Sequence, residues 1–436
     1  MKFGKKLFTK IVSLVLIIVL AFSFGGCTID SLLEQVLGHT HEYTVKYDDN
    51  NHWKECSCGE VIDVFAHDWD QGKVITQSTT TQKGEKLFTC PCGKTKTQEL
   101  PLIVEASGQL SFHFMLLGND NAGDCVYVKA GDNDILIDAG SRANSIDDIQ
   151  SYVDQYVTDN KFEYVIATHA HQDHIDGFAK SEGSIFDLYE CETIIDFPKT
   201  DSTSKTYERY VEERNAEIEK GAKHFTALEC YNQSKQGAQR FYNLSEDGNI
   251  KLEILYNYFY ENKGDENDYS VCVMFHHGSR QFLFTGDLEK EGEEKLAEFY
   301  DFSQVELFKA GHHGSKTSSN DCLLNEIQPK ICVVCCCAGS VEYTQEFDNT
   351  FPTQAFIDRI SKHTDKVYLP IMIDVVFNEE KNKYQNAEEY VLMNGNIVVS
   401  SDGQTGVTVT CSNNNTILKD TDWFKNNRTC PTDWLN

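Results

Sequence analysis

The feature that most limits what this chain can become is the run ATHAHQDHIDG at 167–177. His169, His171, Asp173, His174 and Asp176 fall within eight positions, directly after the apolar stretch Tyr164-Val165-Ile166-Ala167. The apolar stretch reads as a strand, so the polar run begins where that strand ends. On extended backbone, side chains two apart share a face, and His169 and His171 can therefore clamp one cation. Asp173 and His174 continue into a helix start and would face a second cation a few Å away. The remaining donors have to come from other strand ends, and the sequence supplies them. Asp287 closes the apolar run in FLFTGDLE, and His312 and His313 follow another in KAGHHGS. The fold must bring three separate strand ends to one edge.

The wider pattern suits that demand. LSFHFMLLG, CVYVKA and DILIDAG cluster apolar residues at strand length between Gly-Asn-Asp turns, and SIDDIQSYVDQYV carries Ile146, Ile149, Tyr152, Val153 and Tyr156 at helical spacing. Strands return at YSVCVMFHH, RQFLFTGD, VELFKAG and KICVVCCCAG, alternating with helices at KEGEEKLAEFY and 352–362. Two halves of mixed strands and helices predict an α/β layered domain.

The spacing His-x-His-x-Asp-His-x-x-Gly at 169–177 resembles the metallo-β-lactamase superfamily of metallo-hydrolases, and the resemblance runs over about 105–411. It implies an αββα sandwich with two divalent ions, zinc or manganese, at one edge. By the same resemblance His169, His171, Asp173, His174, Asp287 and His313 are metal ligands, with Asp287 bridging. Asp138 in ILIDAGS would steady the metal loop from behind. Asp173 would orient an attacking water activated by the metals, and His312 would face substrate as proton donor or oxygen stabiliser; which of His312 and His313 ligates is open. The stretch from ENDYSVCVMF to ELFKAGHHGSKTSS is similar to the domain attached to ComEC-type DNA-uptake channels and to the phosphorylcholine esterase type. Those domains often carry His-Pro where this chain has Phe351-Pro352, which bears on a substrate contact. β-Lactamases of the superfamily use a midway histidine in a Gly-His-Thr setting. Between His174 and Asp287 this chain has only His224, His276 and His277, and of these His224 is the candidate ligand.

Net charge narrows the substrate. The chain carries 39 basic and 68 acidic residues, a formal charge of −29, which repels polyanions at long range. A phosphate would therefore need local positive charge. GSKTSSN at 314–320 offers it: Lys316 with Ser315 and Ser318, and Ser318 or Ser319 capping the next helix so that backbone N–H groups face an anion. These residues point to a phosphodiesterase, phosphoesterase or nuclease acting on a small molecule, a cell-surface phosphodiester or nucleic acid. A β-lactam or other ester hydrolase, or a non-catalytic surface binding lipoprotein, is the alternative. No stable protein partner is expected.

Outside that domain the N-terminus reads as targeting. Lys2, Lys5, Lys6 and Lys10 precede an apolar stretch from Ile11 to Phe24, a signal-peptide pattern shorter than the ~20 residues of a membrane span. FGGC before Cys27 resembles a lipobox, giving a lipoprotein signal over 1–27, a lipidated Cys27 and a chain anchored on the outer face of the cell membrane. Residues 28–40 read as linker and 412–436 as a C-terminal tail. Between them, 41–104 form a small β-rich module of two similar units, each opening His-acid-aromatic and closing Cys-x-Cys-Gly. It has too few apolar residues for a large core, so a staple is expected. Cys56, Cys58, Cys90 and Cys92 could be a four-thiolate zinc site, disulfides between the two pairs or free thiols, with the histidines as packing or surface groups. Cys332, Cys335, Cys336 and Cys337, in one apolar run, read as small apolar side chains.

Overall fold

The computed structural model describes residues 40–70, 73–76, 82, 84–100, 110–404 and 406–435. The signal peptide expected at 1–27, with Cys27, lies outside them, as does 28–39 of the linker. No helix among the described residues is long and apolar enough to cross a membrane. The chain divides into two compact units, 1–105 and 106–436.

The smaller unit holds two three-stranded antiparallel sheets. β1 (Tyr43–Tyr47), β2 (Asn51–Cys56) and β3 (Val61–Ala66) form one, and β4 (Lys73–Thr76), β5 (Gly84–Thr89) and β6 (Thr95–Leu100) the other. Each Cys-x-Cys-Gly segment is the turn between the last two strands of its sheet. The Gly59 N–H donates to the Cys56 carbonyl and the Gly93 N–H to the Cys90 carbonyl, both at 2.8 Å. Gly59 and Gly93 take φ of 89° and 93°, a region open to glycine without strain. Cys56 and Cys90 are the only buried apolar side chains among the described residues of this unit, whereas Val45, Tyr47, Val61, Val64, Phe65 and Ile75 are exposed.

The larger unit is an αββα sandwich. Its first sheet runs in the order β12 (Lys223–Thr226), β11 (Glu190–Asp196), β10 (Lys161–Ile166), β9 (Asn133–Ile137), β8 (Val126–Ala130), β7 (Leu110–Phe114), then the late strands Ile397–Ser401 and Val407–Cys411. Strands β9 to β12 are parallel, and the rest pair antiparallel. The second sheet runs β13 (Phe241–Asn243), β14 (Ile250–Ile254), β15 (Val273–His277), β16 (Arg280–Phe284), β17 (Leu307–Lys309), β18 (Ile331–Val333) and Val367–Tyr368, parallel from β16 onward.

Alternation along each strand sorts side chains to the two faces of the second sheet. Val273, Phe275, Phe282, Phe284 and Leu307 enter the core between the sheets, where Phe112 meets Phe275 and Phe282 at 5.2 and 4.9 Å. Met274, Leu283 and Phe308 point the other way, to a second core closed by Leu296, Leu323, Leu324, Ile327, Phe356 and Ile360 of the helices Lys290–Phe299, Asp321–Ile327 and Gln354–Ile360. The stretch expected to be a tail is part of this layer. Leu418, Trp423, Phe424 and Trp434 are buried in the second core, because three large aromatic side chains gain more from burial than a few ordered residues lose. Cys332, Cys335, Cys336 and Cys337 are buried free thiols, and the described residues hold no disulfide.

Candidate metal centre

The carboxyl ends of parallel strands are where ligands gather in open α/β sheets, and here several strands of both sheets end at one place. β9 runs into Asp138, β10 into Thr168 and His169, β16 into Asp287, β17 into His312 and His313, and β18 into Cys335. Backbone contacts lock these loops together. The Asp173 carbonyl accepts from the Asp124 N–H at 3.0 Å, and the His174 carbonyl from the Ala139 N–H at 2.8 Å. A side chain at Gly140 would put its Cβ 1.6 Å from the Asp173 oxygen, so glycine is needed there for the Asp173 loop to close. Asp138, His312 and His313 all sit at positive φ, 57°, 45° and 54°, local strain of order 1–3 kcal/mol each that only surrounding contacts can hold.

Hydrogen bonds fix which nitrogen of each imidazole faces inward. Thr168 Oγ1 donates to Asp138 Oδ2 at 2.8 Å, so it can only accept from His169 Nδ1, 3.2 Å away. His174 Nδ1 donates to Asp138 Oδ2 at 2.8 Å, and His313 Nδ1 to the Cys335 carbonyl at 2.9 Å. In all three rings Nε2 is left to point into the cluster, the arrangement in which an outer partner orients a metal-binding histidine. His169 Nε2 lies 3.0 Å from His171 Nδ1. His174 Nε2 and His313 Nε2 lie 3.1 and 3.3 Å from Asp287 Oδ2, and His313 Nε2 is 3.3 Å from Asp173 Oδ2.

The donor set fits divalent ions. One donor atom each from Asp124, His174, Asp287 and His313 lie within 4.8 Å of one another, all four residues buried. Asp124 Oδ1 and His313 Nε2 are buried without a hydrogen-bond partner among the described residues, a costly state unless something else is bound. Imidazole and carboxylate together suit zinc or manganese. Burial opposes charge on His174 and His313, yet the carboxylates around them, Asp287 foremost, override it and hold both imidazoles well above their usual pKa. Burial likewise opposes charge on Asp173, but His313 and His174 hold its carboxyl well below the usual range. The cluster is thus a concentration of negative charge drawing in positive charge.

The Metallo-beta-lactamase superfamily model matches residues 118–338, or 221 of the 436. This chain belongs to the metallo-β-lactamase superfamily. Among curated proteins it is similar to ComE operon protein 3 of Bacillus subtilis, 33% identical over 69 residues, 16% of this chain and 9% of that protein. It is also similar to Competence protein ComA of Neisseria gonorrhoeae, 35% identical over 106 residues, 24% and 14% of the two chains. The chain thus spans only a small part of the length of the curated relatives it matches. A solved metallo-β-lactamase from Cronobacter sakazakii aligns at 13% identity over 45% of this chain and 76% of its own, with a TM-score of 0.27.

In this superfamily member a cavity of about 380 Å³ opens beside the cluster, lined by Arg142, His171, Gln172, Asp173, Asp287, His312, His313 and Tyr343. Of the expected site residues, His169, His171, Asp173, His174, Asp287 and His313 all converge on the cluster, and Asp138 stands behind it. His312 is half-buried in the cavity wall, its Nδ1 held by Thr317 Oγ1 at 3.1 Å and Glu289 Oε1 at 3.2 Å, while His313 alone of the pair reaches Asp173 and Asp287. Phe351, in the place of the expected histidine, lies 5.9 Å from both rings.

Other expectations are corrected. His224 is not near the cluster; its Nε2 pairs with Asp196 at 2.8 Å, beside Arg214. His276 pairs with Glu253, and His277 is buried. The anion site expected at 315–318 is not formed. Ser318 Oγ donates to the Leu288 carbonyl at 2.6 Å, Lys316 reaches outward to Asn349, and Ser315 Oγ bonds Thr317 Oγ1. None of the three lines the cavity. Neither Ser318 nor Ser319 caps the helix: its N-cap is Asn320. The Ser319 and Asn320 N–H groups are already used, donating to the buried Glu293 carboxylate at 2.6 and 2.8 Å.

Four participants went unseen in the sequence. Asp124 joins the ligand cluster, Lys309 is buried against Asp124 and Asp287, Tyr343 donates to Asp173 Oδ2 at 2.8 Å, and Arg142 enters the cavity wall paired to Glu342. Only Lys309 left a local trace, as a charge inside the apolar strand VELFKAG. In the smaller unit the four cysteines do not meet. Cys90 and Cys92 stand with His52 and His67, and Cys56 and Cys58 with His41, so the histidines are not mere packing groups.

Proposed function

We propose that the larger unit is a dinuclear metal-dependent phosphoesterase whose substrate is a phosphodiester or phosphomonoester. The observation that carries this is the cavity wall, which joins Asp173, Asp287 and His313 of the buried cluster to Arg142, the only lysine or arginine among the lining residues. Ions held by the Asp124, His174, Asp287 and His313 cluster would, when bound, supply a nucleophile at neutral pH and offset charge on the phosphoryl oxygens. The chain's own groups do the rest. Asp173, held by the Tyr343 hydroxyl at 2.8 Å, orients the attacking water. His312, anchored at Nδ1, presents its Nε2 to the cavity to stabilise an oxygen or give a proton to the leaving group. Arg142, whose Nη1 is held by the Ser141 carbonyl and whose Nη2 pairs with Glu342, would turn its planar fork to a phosphate by exchanging Glu342 for it.

The similarity to ComE operon protein 3 and Competence protein ComA favours nucleic acid as the phosphodiester. The −29 charge favours short or single-stranded pieces over long duplex. β-Lactam hydrolysis is the weaker reading, since no midway histidine reaches the cluster. We place the enzyme outside the cytoplasm, tethered through Cys27, on the pattern of residues 1–27. The test is a panel of bis(p-nitrophenyl) phosphate, p-nitrophenyl phosphate, single-stranded DNA and a chromogenic cephalosporin, with protein loaded with zinc or manganese. Phosphoester turnover above cephalosporin turnover is expected; robust cephalosporin turnover without phosphoesterase activity would overturn the assignment.

A further inference from the structure

We propose that His52, His67, Cys90 and Cys92 form a structural zinc site that clamps the two sheets of the smaller unit together. Its pairing crosses the repeat: His52 comes from the first sequence unit, whereas His67, which opens the second, joins that unit's Cys90 and Cys92. His52 lies on β2 and His67 just after β3, while Cys90 and Cys92 occupy the turn from β5 to β6.

Distances suit tetrahedral zinc. Cys90 Sγ is 3.8 Å from His52 Nδ1 and Cys92 Sγ is 3.4 Å from His67 Nδ1. Bonds of ~2.3 Å to sulfur and ~2.0 Å to nitrogen at tetrahedral angles separate such atoms by roughly 3.6 Å. All four donor atoms lie within 4.8 Å of one another, so small inward shifts complete the site.

An independent contact sets the ring. His67 Nε2 donates to the Asp48 carbonyl at 3.0 Å, which leaves Nδ1 with the lone pair and turns it to the sulfurs. That is how metal-binding histidines are held, and a histidine serving only to pack has no need of it. The turn is prepared as well. With Gly93 at φ 93° and its N–H on the Cys90 carbonyl, the Cys-Pro-Cys-Gly segment brings two thiols to one side.

The site also answers what holds this unit together. Its described residues bury only two apolar side chains, both cysteines, far short of a core for two sheets. A zinc site of this kind supplies folding free energy directly. The second group, His41, Cys56 and Cys58, offers three donors among the described residues, and the proposal rests on the four-donor site.

The test uses the full chain and peptide-resolved thiol alkylation, so that metal at the hydrolase centre does not interfere. Zinc should protect Cys90 and Cys92 from iodoacetamide, and a chelator should expose them. In the Cys56→Ser/Cys58→Ser chain that protection should persist, and cobalt in place of zinc should give a thiolate-to-metal charge-transfer band, since the hydrolase cluster has no thiolate. His52→Ala or His67→Ala in that background should weaken cobalt binding at the band by ~10-fold or more, at least what losing an outer partner costs. Loss of protection and band in the Cys56→Ser/Cys58→Ser chain would overturn the assignment in favour of a four-thiolate site. A native Cys90–Cys92 disulfide, or a band indifferent to both histidine substitutions, would also overturn it.

Discussion

Lys309→Met tests the charge balance of the metal centre. Lys309 follows Leu307 by two on β17, so alternation turns it to the inter-sheet face, at the edge where the core gives way to the cluster. Its side chain is 2% exposed, and it sits against Asp124 and Asp287, themselves 4% and 2% exposed. Nζ also donates to the Gly286 carbonyl at 3.1 Å. Burial disfavours its charge, but Asp124 and Asp287 override that and raise its pKa above the usual lysine value. Methionine keeps much of the stem and removes the cation, leaving two buried carboxylates facing each other. Removing one partner of a buried pair costs about 3–5 kcal/mol. At ~2 °C per kcal/mol for a unit of this size, that is about 6–10 °C in Tm. Thermal melts of parent and variant, each in chelator and in excess zinc, measure it. The chelated variant should show the full loss and the zinc-loaded variant a smaller one, because dications beside the same carboxylates replace part of the missing charge. If Lys309 matters only as packing, a volume-conserving change costs less than about 1.5 kcal/mol. A loss that small in chelator, or one equal with and without zinc, would refute the charge argument.

Three further outcomes follow from the same geometry. His313→Ala should lower bound metal by elemental analysis, whereas His312→Ala should keep the metal and lower kcat by about 10²-fold, as expected for a proton donor or oxygen stabiliser. Lys316→Ala should leave phosphoester kinetics unchanged, since Lys316 points to Asn349, while Arg142→Ala should raise KM for phosphoesters and spare the metal content. Glu293 is fully buried, and burial outweighs its hydrogen bonds to lift its pKa to about 7. The folded state therefore binds this proton more tightly than the unfolded state. The contribution is whole below about pH 4.5, falls by roughly 1.4 kcal/mol per pH unit above it and is spent past about 7. Glu293→Gln should remove that part of the slope of Tm against pH between 5 and 7.

What could be read from the sequence was chemistry whose partners are close in sequence or repeat a known spacing. His169, His171, Asp173 and His174 follow one strand, and Asp287 and the His312-His313 pair each follow a strand of their own, so strand periodicity and polar interruption mark them as candidates and the family resemblance names them as ligands. Asp124 left no such trace, because its partners Lys309 and His313 reach it only once the two sheets face each other. The helix cap at 318–320 was misjudged for a similar reason: the acceptor that consumes its N–H groups, Glu293, sits on another helix. The smaller unit misled by its regularity. Two Cys-x-Cys-Gly segments at equivalent places suggest each other as partners, but the structure sets Cys90 and Cys92 beside His67 of their own unit and His52 of the first, and Cys56 and Cys58 beside His41.

Adding Lys309 also changes what the metal centre requires. Asp124, Asp138, Asp173 and Asp287 bring four negative charges to the cluster and Lys309 returns one, leaving three when the imidazoles are neutral ligands. One divalent ion would leave the site negative, and a phosphate entering the cavity past an already acidic surface would be repelled. Two divalent ions would leave it with one positive charge, or neutral once a hydroxide nucleophile is counted, and so would remove the repulsion; Arg142 on the cavity wall is already paired to Glu342. In a poorly solvated pocket, a single charge a few Å away is worth several kcal/mol. An anionic substrate on this chain therefore depends on both ions being present. Titrating metal from one to two equivalents should lower KM for a phosphoester while hardly moving that for a neutral ester, and equal effects on the two would break the link between charge and substrate.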